Sequence, residues 1–519
     1  MKRPASVWSK MGGAIGRLFG VKPKLSAYEG ATRSRLREGW TVVNPGPNTA
    51  ADPMTRSYLV GRSRDGERND PHCARVLSIF TNNLIGTGLD ARAKFSEDDP
   101  ASKAAALEAD ALWKLASSYG GSDLEGDLTM AGQQEMEAGA LGRDGEVLVR
   151  FILDPERTPL PFCFQILETD MLDESKDGEL REGGYIKGGV EFAPSGRKVA
   201  FWLRRYHPGE SNMLSMGSVR VSADDVFHLR LPRRPGQVRA VPLLTPVLKT
   251  KRDVAEFVEA TIAAKKNESC IVGVIEKEPY SEYNPPPEYD DEPEEGAEAD
   301  VFPSVINAEG KRETKIRANT WVGVENGTKV TFNNPQLAAN YPEFLKTHLQ
   351  AFAMGTNVSY EQASGDFSGA NYSTMRGGLL EFWTWIDRIR WNAFQPLQDW
   401  KWRKVMEAGF IIGRVRTSAI GAEWQAPARQ SIEPDKDAIA DYLKLRAGWI
   451  DEDDVIASHG NHPAELREKI AKNQKIRDDA GIVVDTDPRK YAWRGAFPPA
   501  VQATPLADQL PPGTEGAPP

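Results

Sequence analysis

Four carboxylates crowd the stretch "EMEAGALGRDGE": Glu135, Glu137, Asp144 and Glu146. Carboxylates at that density can hold a divalent metal or divide general acid and base work between them. No His, Cys or Lys accompanies them at motif spacing, so they read as a solvated helix face followed by an Asp144-Gly145 turn. His459 and His462 in "SHGNHP" could share a metal with Asp453 or Asp454, but those acids read as charges at a helix start. "GTGLDA" (86–91) fits a loose G-x-G-x-x-A pattern, yet it follows a helical segment where a dinucleotide fingerprint needs a strand. No G-x-x-x-x-G-K-[ST] phosphate loop occurs, which excludes ATP hydrolysis by that route. The expectation is a chain that is not an enzyme and uses no metal or cofactor.

Two other stretches invite a functional reading. Ser359 to Gly378, "SYEQASGDFSGANYSTMRGG", is polar and glycine-rich between apolar helical patterns. A loop of that length inside a compact domain is usually functional or disordered. After it, Thr374 to Ala408 reads as one long helix with a kink at Pro396. That helix holds Trp383, Trp385, Trp391, Trp400 and Trp402, five of the chain's 13 tryptophans. Trp and Arg alternating on a helix can stack on bases. Buried aromatics dominate packing energies, however, so the reading is a packing spine ending in subunit contact.

The elements that must position these residues follow from pattern and composition. A chain of 519 residues has material for several domains, and 40% hydrophobic with 27% charged residues is ordinary for a folded protein. The net charge of −9 argues against a tight nucleic-acid binder. Cys73, Cys163 and Cys270 form neither a CxxC nor a disulfide framework. No run of about 18 apolar residues spans a membrane. Residues 1–40 carry nine Lys/Arg against two Glu, a basic and flexible arm.

Residues 51–85 and 101–119 read as helices, and "GEVLVRFIL" and "PFCFQILETDML" as strands. A hairpin follows with its turn at Pro194-Ser195-Gly196, and "SADDVFHLRL" closes an α+β region near residue 240. Val254, Phe257, Val258, Thr261 and Ile262 mark an amphipathic helix with Lys249, Lys251, Arg252, Lys265 and Lys266 near its ends. A small β unit comes next, from "CIVGVIEK" to "TWVGV" and "TKVTF", interrupted by an acidic, Pro-rich insert at 285–300. A second amphipathic helix spans 337–354, and the C-terminal region holds the helical stretches "DKDAIADYLKLRAGW" and "HPAELREKIAKNQKIRDDAG".

In this order the stretches resemble the lambda-type portal family of tailed bacteriophages. The resemblance rests on "RSYLVGRSRDGERNDPHCARVLSIFTNNLIGTGL", "VFHLRLPRRPGQVRAVPLLTPVL", "GTNVSYEQASGDFSGANYSTMRGGLLEFW", "QPLQDWKWRKVMEAG" and "EWQAPARQSIEPDKDAIADYLKLRAGWIDEDDVIASHG". It covers roughly residues 30–480, and Ala240 stands where the family usually has Gly.

The resemblance implies an α+β portal fold of wing, stem, clip and crown, assembled as a ring of twelve copies around a central channel. Residues 1–45 would be the basic arm, 46–240 the wing, 241–269 and 337–358 the two stem helices, and 270–336 the clip. Residues 359–374 would be the channel (tunnel) loop, 375–429 the long wing helix with its following strands, 430–490 the helical crown, and 491–519 a disordered tail. The loop residues Ser364, Gly365, Asp366, Ser368, Gly369, Asn371 and Tyr372 would face DNA. The stem charges Lys249, Lys251, Arg252, Lys265 and Lys266 would line the channel.

The implied protein sits at the portal vertex of the virion capsid, assembled in the host cytoplasm. Double-stranded DNA passes through it in packaging and ejection. Its implied partners are further copies of itself, the terminase large subunit, the major capsid and scaffold proteins, and head-completion and tail-connector proteins, with no membrane. Two other readings stay open: a nucleic-acid-processing enzyme with a carboxylate-bound metal, and a peripheral membrane scaffold using the basic arm.

Overall fold

The computed structural model describes residues 44–482, apart from 97, 182, 211–216, 277–303, 307–311, 315–319, 325–340, 430 and 432. Nearly all of the basic arm, the acidic insert, "TKVTF" and the C-terminal tail lie outside the described residues.

The first helical stretch is two helices, α1 (Pro53–Asn69) and α2 (Pro71–Ile85). Each opens on an Asp-Pro pair. Asp52 accepts from the amides of Met54 and Thr55, and Asp70 from those of His72 and Cys73, both within 3.2 Å. Pro at the first helical position loses no bond there, whereas Pro71 inside a continuous helix would clash with the preceding turn. Asp70 is accordingly extended, which divides the predicted helix. Strand β1 (Asp90–Ala93) and helices α3 (Pro100–Ser117) and α4 (Met130–Arg143) follow.

Strands β2 (Glu146–Leu153) and β3 (Phe162–Leu167) are as expected, with the tail of "ETDML" forming a 3-10 turn at Thr169–Met171. A five-stranded antiparallel meander comes next: β4 (Gly178–Glu179), β5 (Tyr185–Lys187), β6 (Val190–Phe192), β7 (Lys198–Arg204) and β8 (Ser218–Ser222). Its β6–β7 turn places Gly196 at φ 80°, the left-handed region that glycine enters at little cost. Strand β9 (Val226–Arg230) returns to make a three-stranded antiparallel sheet of order β3-β2-β9. Where the two sheets meet, Leu148, Val190, Phe201 and Val226 form a small second core.

Helix α5 (Leu248–Cys270) leads into β10 (Ile271–Glu276), which pairs in parallel with β13 (Thr320–Val324). A hairpin of β11 (Ser304–Ile306) and β12 (Arg312–Thr314) lies between them in sequence, and α6 (Tyr341–Gly355) returns. The Phe257 ring of α5 packs against Tyr341 and Phe344 of α6, with centroids 5.7 and 4.3 Å away. The expected sequence of helix, β unit and helix is therefore present, with the second helix described from residue 341.

A short helix α7 (Tyr360–Ser364) and the long α8 (Tyr372–Ile389) follow. The predicted kink at Pro396 takes the form of a π turn, Arg390–Phe394, before α9 (Gln395–Ile411). Pro396 has no amide to give and its ring needs room in the preceding turn; the wider turn supplies both. Arg390, inside it, donates to the Leu84 and Asn83 carbonyls at 2.7 and 2.5 Å and so caps the end of α2. Strand β14 (Ala422–Gln425) pairs antiparallel with β1, and α10 (Pro434–Arg446), α11 (Glu452–Ser458) and α12 (Pro463–Asp479) end the described chain.

The main core gathers α2, α3, α4, α8 and α9 against the three-stranded sheet, with Phe80, Leu84, Leu141, Phe164 and Phe394 fully buried. Trp113 lies between Trp402 and Trp424, at centroid distances of 5.1 and 5.7 Å. The tryptophan helix is thus not uniform. Trp400 and Trp402 are buried in this chain's own core, with their indole N–H groups donating to the Asp224 and Ile420 carbonyls. The expectation of subunit contact is corrected for these two, because a side chain enclosed by its own fold cannot meet a neighbour. Trp385 is half-buried against Phe80 and Phe382, Trp383 lies under the Arg429 guanidinium, and Trp391 is exposed.

Candidate nucleic-acid interface

Much of the predicted polar loop is helical. Helix α6 ends in a Schellman turn: the Val358 amide donates to the Ala353 carbonyl, the Asn357 amide to Met354, and Asn357 takes φ 58°. Ser359 then caps α7 through a reciprocal capping box with Gln362, at 3.2 and 3.0 Å. Gly365 ends α7 in the left-handed region, and Asn371 caps α8 by accepting from the amide and hydroxyl of Thr374. The open loop is therefore 365–371, shorter than the 359–374 expected. Local side-chain caps won because Ser, Gln and Asn offered the backbone a helix start on both sides.

Of the predicted loop residues, Gly365, Asp366, Ser368, Gly369 and Asn371 are exposed, while Ser364 is half-buried and bonds the Tyr360 carbonyl. Tyr372 opens α8. Asp366 is the one carboxylate between 365 and 371, and no Lys or Arg stands there. Hydrogen bonds from the Ser368 hydroxyl and amide hold its carboxyl below the usual range, aided by Lys346. The base is anchored on α2, where Arg75 Nε donates to the Gln362 carbonyl at 3.3 Å and Ala363 is buried. The result is a firmly seated tip with a polar, weakly anionic surface.

The stem charges divide. Lys249 and Arg252 are exposed, and Arg252 pairs one turn ahead with Glu256 at 2.7 Å. Lys251 is half-buried 3.8 Å from Asp65 of α1. Lys265 and Lys266 are exposed near the far end of α5, so the five do not converge on one point.

The carboxylate stretch is the largest departure from expectation. Glu135 is exposed, but Glu137, Asp144 and Glu146 are fully buried and ion-paired, so the solvated-face reading is corrected. Gly145 does make the predicted turn at φ 86°, so tightly that an added Cβ would lie 2.3 Å from the Val241 carbonyl oxygen. Beyond it, Glu146 receives Arg239 Nε at 2.8 Å, His228 Nε2 at 2.9 Å, Arg56 at 3.4 Å and the Ala240 amide at 2.9 Å. Burial works to raise this carboxyl, but Arg239, the His228 hydrogen bond and Arg56 together hold it far below the usual range. Burial in turn pushes His228 down to about 4, against the pull of Glu146, so the ring is neutral and donates through Nε2. Ala240 needs no glycine-like backbone in this role, which explains how Ala stands there.

Glu137 faces the fully buried Lys401 of α9 and accepts from Gln398 at 3.0 Å. Burial raises the Glu137 carboxyl and lowers the Lys401 ammonium. Asp144 takes Arg64 Nε at 2.9 Å. The partners Arg56, Arg64, His228, Arg239 and Lys401 lie far away in sequence; the one available signal was "EVLVRF", where a Glu opens an otherwise buried strand.

The remaining chemical motifs separate likewise. Gly86 and Gly88 form a positive-φ turn after α2 and before β1, the reverse of a strand–turn–helix. His462 lies 3.3 Å from Asp90, and His459 3.9 Å from Asp441, while Asp453 pairs with Arg467 and Asp454 sits in the α11 capping box. Among the described residues one trio has metal-ligand spacing, Glu168, Asp170 and His207. Arg64 already occupies the space between both acids, at 3.0 and 2.7 Å.

Comparison with known proteins places the chain among relatives. A protein described as "Probable portal protein", from Halomonas phage phiHAP-1, is 24% identical over 507 residues, 93% of each chain. The solved neck of a native gene transfer agent particle with C12 symmetry aligns over 79% of this chain and 94% of its own, at 12% identity and a TM-score of 0.37. A chain of the native gene transfer agent virion aligns over 78% and 94%, at 12% identity and a TM-score of 0.38. The family model for "Phage portal protein, lambda family" matches residues 33–390, from ahead of α1 through α8, and the chain belongs to that family.

Proposed function

We propose that this portal protein assembles into a closed homo-oligomeric ring of twelve copies, with the 365–371 tip facing the channel as a low-friction guide for double-stranded DNA. The observation that carries the reading is the tip itself, an exposed segment free of Lys and Arg yet capped at both ends and pinned to α2. Each phosphate neutralised by a cation adds salt-sensitive affinity, so a ring of basic loops would hold a duplex instead of passing it. Serines, Asn371 and glycines give short-lived contacts. The pair α5 and α6 is the stem, and the β10–β13 unit between them is the clip, the surface for terminase and later for head-completion proteins. The helices from α10 onward form the crown.

Electron microscopy of purified protein tests this directly: closed rings with a central hole are expected. A strictly monomeric protein under assembly conditions would overturn it. In a packaging reaction, replacing 364–371 by a short flexible linker should leave rings intact and lower DNA uptake or retention. The carboxylate enzyme reading is disfavoured by the ion pairs that occupy Glu137, Asp144 and Glu146. Among the described residues no helix is long and apolar enough to cross a membrane.

A further inference from the structure

Outside the loop, a cleft of about 880 Å³ lies between β9, the segment after it and the end of α8. Four of its lining residues are basic, Lys198, Arg230, Arg233 and Arg388, and none is acidic. Elsewhere in this region cations are paired: Arg56, Arg64, Arg143, Arg204, Arg220 and Arg239 all reach carboxylates. The nearby Glu146 is already taken up by Arg239, Arg56 and His228. His228 also lines the cleft, and its buried Nδ1 has no hydrogen-bond partner. Burial and the neighbouring Arg230 push Lys198 down to about 8, against a smaller pull from Glu146. Trp385 and Pro396 give the cleft an apolar wall.

At the opposite edge of the same sheet lies a loop of complementary chemistry. Strand β3 is the far edge from β9, and the segment beside it is tied there by the Leu124 amide donating to the Phe164 carbonyl at 3.1 Å. This loop exposes Glu125 and Asp127 together with the apolar Tyr119 and Leu124, which are 71% and 40% exposed. A head-to-tail ring contact joins two different, complementary patches of the same chain, and a basic socket on one edge with an acidic, apolar plug on the other is such a pair. We infer that the basic cleft receives the 119–127 loop of the next copy in the ring, Glu125 and Asp127 meeting its Lys and Arg groups. The inference rests on the ring reading. A duplex is a poorer occupant, because the apolar wall of Trp385 and Pro396 offers nothing to a phosphate backbone, whereas Tyr119 and Leu124 can pack on it.

The test uses the full-length chain, with ring yield read by native mass spectrometry and mass photometry at fixed concentration. Arg233→Glu with Arg388→Glu, both exposed positions, should lower ring yield at least tenfold, as should Glu125→Lys with Asp127→Lys. Combining all four reversals should restore rings, and Glu125→Cys with Arg388→Cys should cross-link between copies. Failure of the combined variant to recover while both parents remain folded by circular dichroism, or absence of the cross-link in wild-type-like rings, would overturn the docking. Intact rings with weakened DNA retention after cleft reversal would make the cleft a nucleic-acid site and also overturn it. Wild-type protein that never forms rings would instead remove the ring reading itself, and this inference with it.

Discussion

Glu137 and Glu146 are both fully buried, yet burial wins at one and loses at the other. Glu146 faces two guanidiniums and an imidazole N–H, whereas Glu137 faces a single ammonium. A buried pair broken on one side leaves an uncompensated charge, typically costing about 3–5 kcal/mol. Glu146→Ala and Lys401→Ala should each lose that order of stability in urea unfolding. The matched swap Glu137→Leu with Lys401→Met should recover most of the loss, since apolar replacement of a whole buried pair is often neutral. A pH effect follows at His228. Its folded pKa, about 4, lies below the ordinary 6.5, so the unfolded chain binds more protons between those values. Stability is therefore complete above pH 6.5 and falls as the solution is acidified toward 4, with Glu146 adding loss below its ordinary range of 4.5. Urea midpoints measured from pH 7.5 to 4.5 should decline over that window, and a His228→Gln variant should decline less steeply.

At the scale of elements, what matters is how the tip is held. Asn357 occupies a left-handed position at the end of α6, where an ordinary side chain costs about 1–2 kcal/mol. Asn357→Ala should lower the melting temperature by a few degrees, and Asn357→Gly should not. Gly355, two residues earlier, approaches the chain just ahead of α5 so closely that an added Cβ would fall 2.3 Å from a Val247 methyl carbon. Gly355→Val should therefore splay α6 from the start of α5 and disturb the tip, detectable as faster amide exchange in 356–364. These features were partly legible. The amphipathic spacing of both helices and the polar tip could be read from the chain, because periodicity and composition are local. The caps that shortened the loop were present in the letters Ser359, Gln362 and Asn371, but which turn they would close depended on the helices already in place.

For the whole molecule, the charge distribution makes a measurable prediction. With net charge −9 and no cation in the tip, duplex binding by assembled rings should be weak and its salt dependence shallow. A plot of log affinity against log salt should have a slope nearer zero than the value of about −0.9 per neutralised phosphate multiplied over a dozen basic loops. A steep slope, measured by fluorescence anisotropy on rings, would mean that basic groups outside the tip grip the DNA. The pairing of β1 with β14 and the Arg390 cap on α2 show why global arrangement exceeded sequence reading: each joins segments some 300 residues apart through contacts with no local signature.

The sequence by itself determined the order of elements, the helical faces, the polar tip and the family, since hydrophobic periodicity, turn residues and family motifs are properties of neighbouring letters. Only the tertiary structure decided that three of the four crowded carboxylates are buried, that Trp400 and Trp402 are enclosed by their own chain, and where the basic cleft opens. Burial and charge pairing arise from residues brought together across the chain, and a charge keeps or loses its ionised form according to those partners and not its place in the sequence.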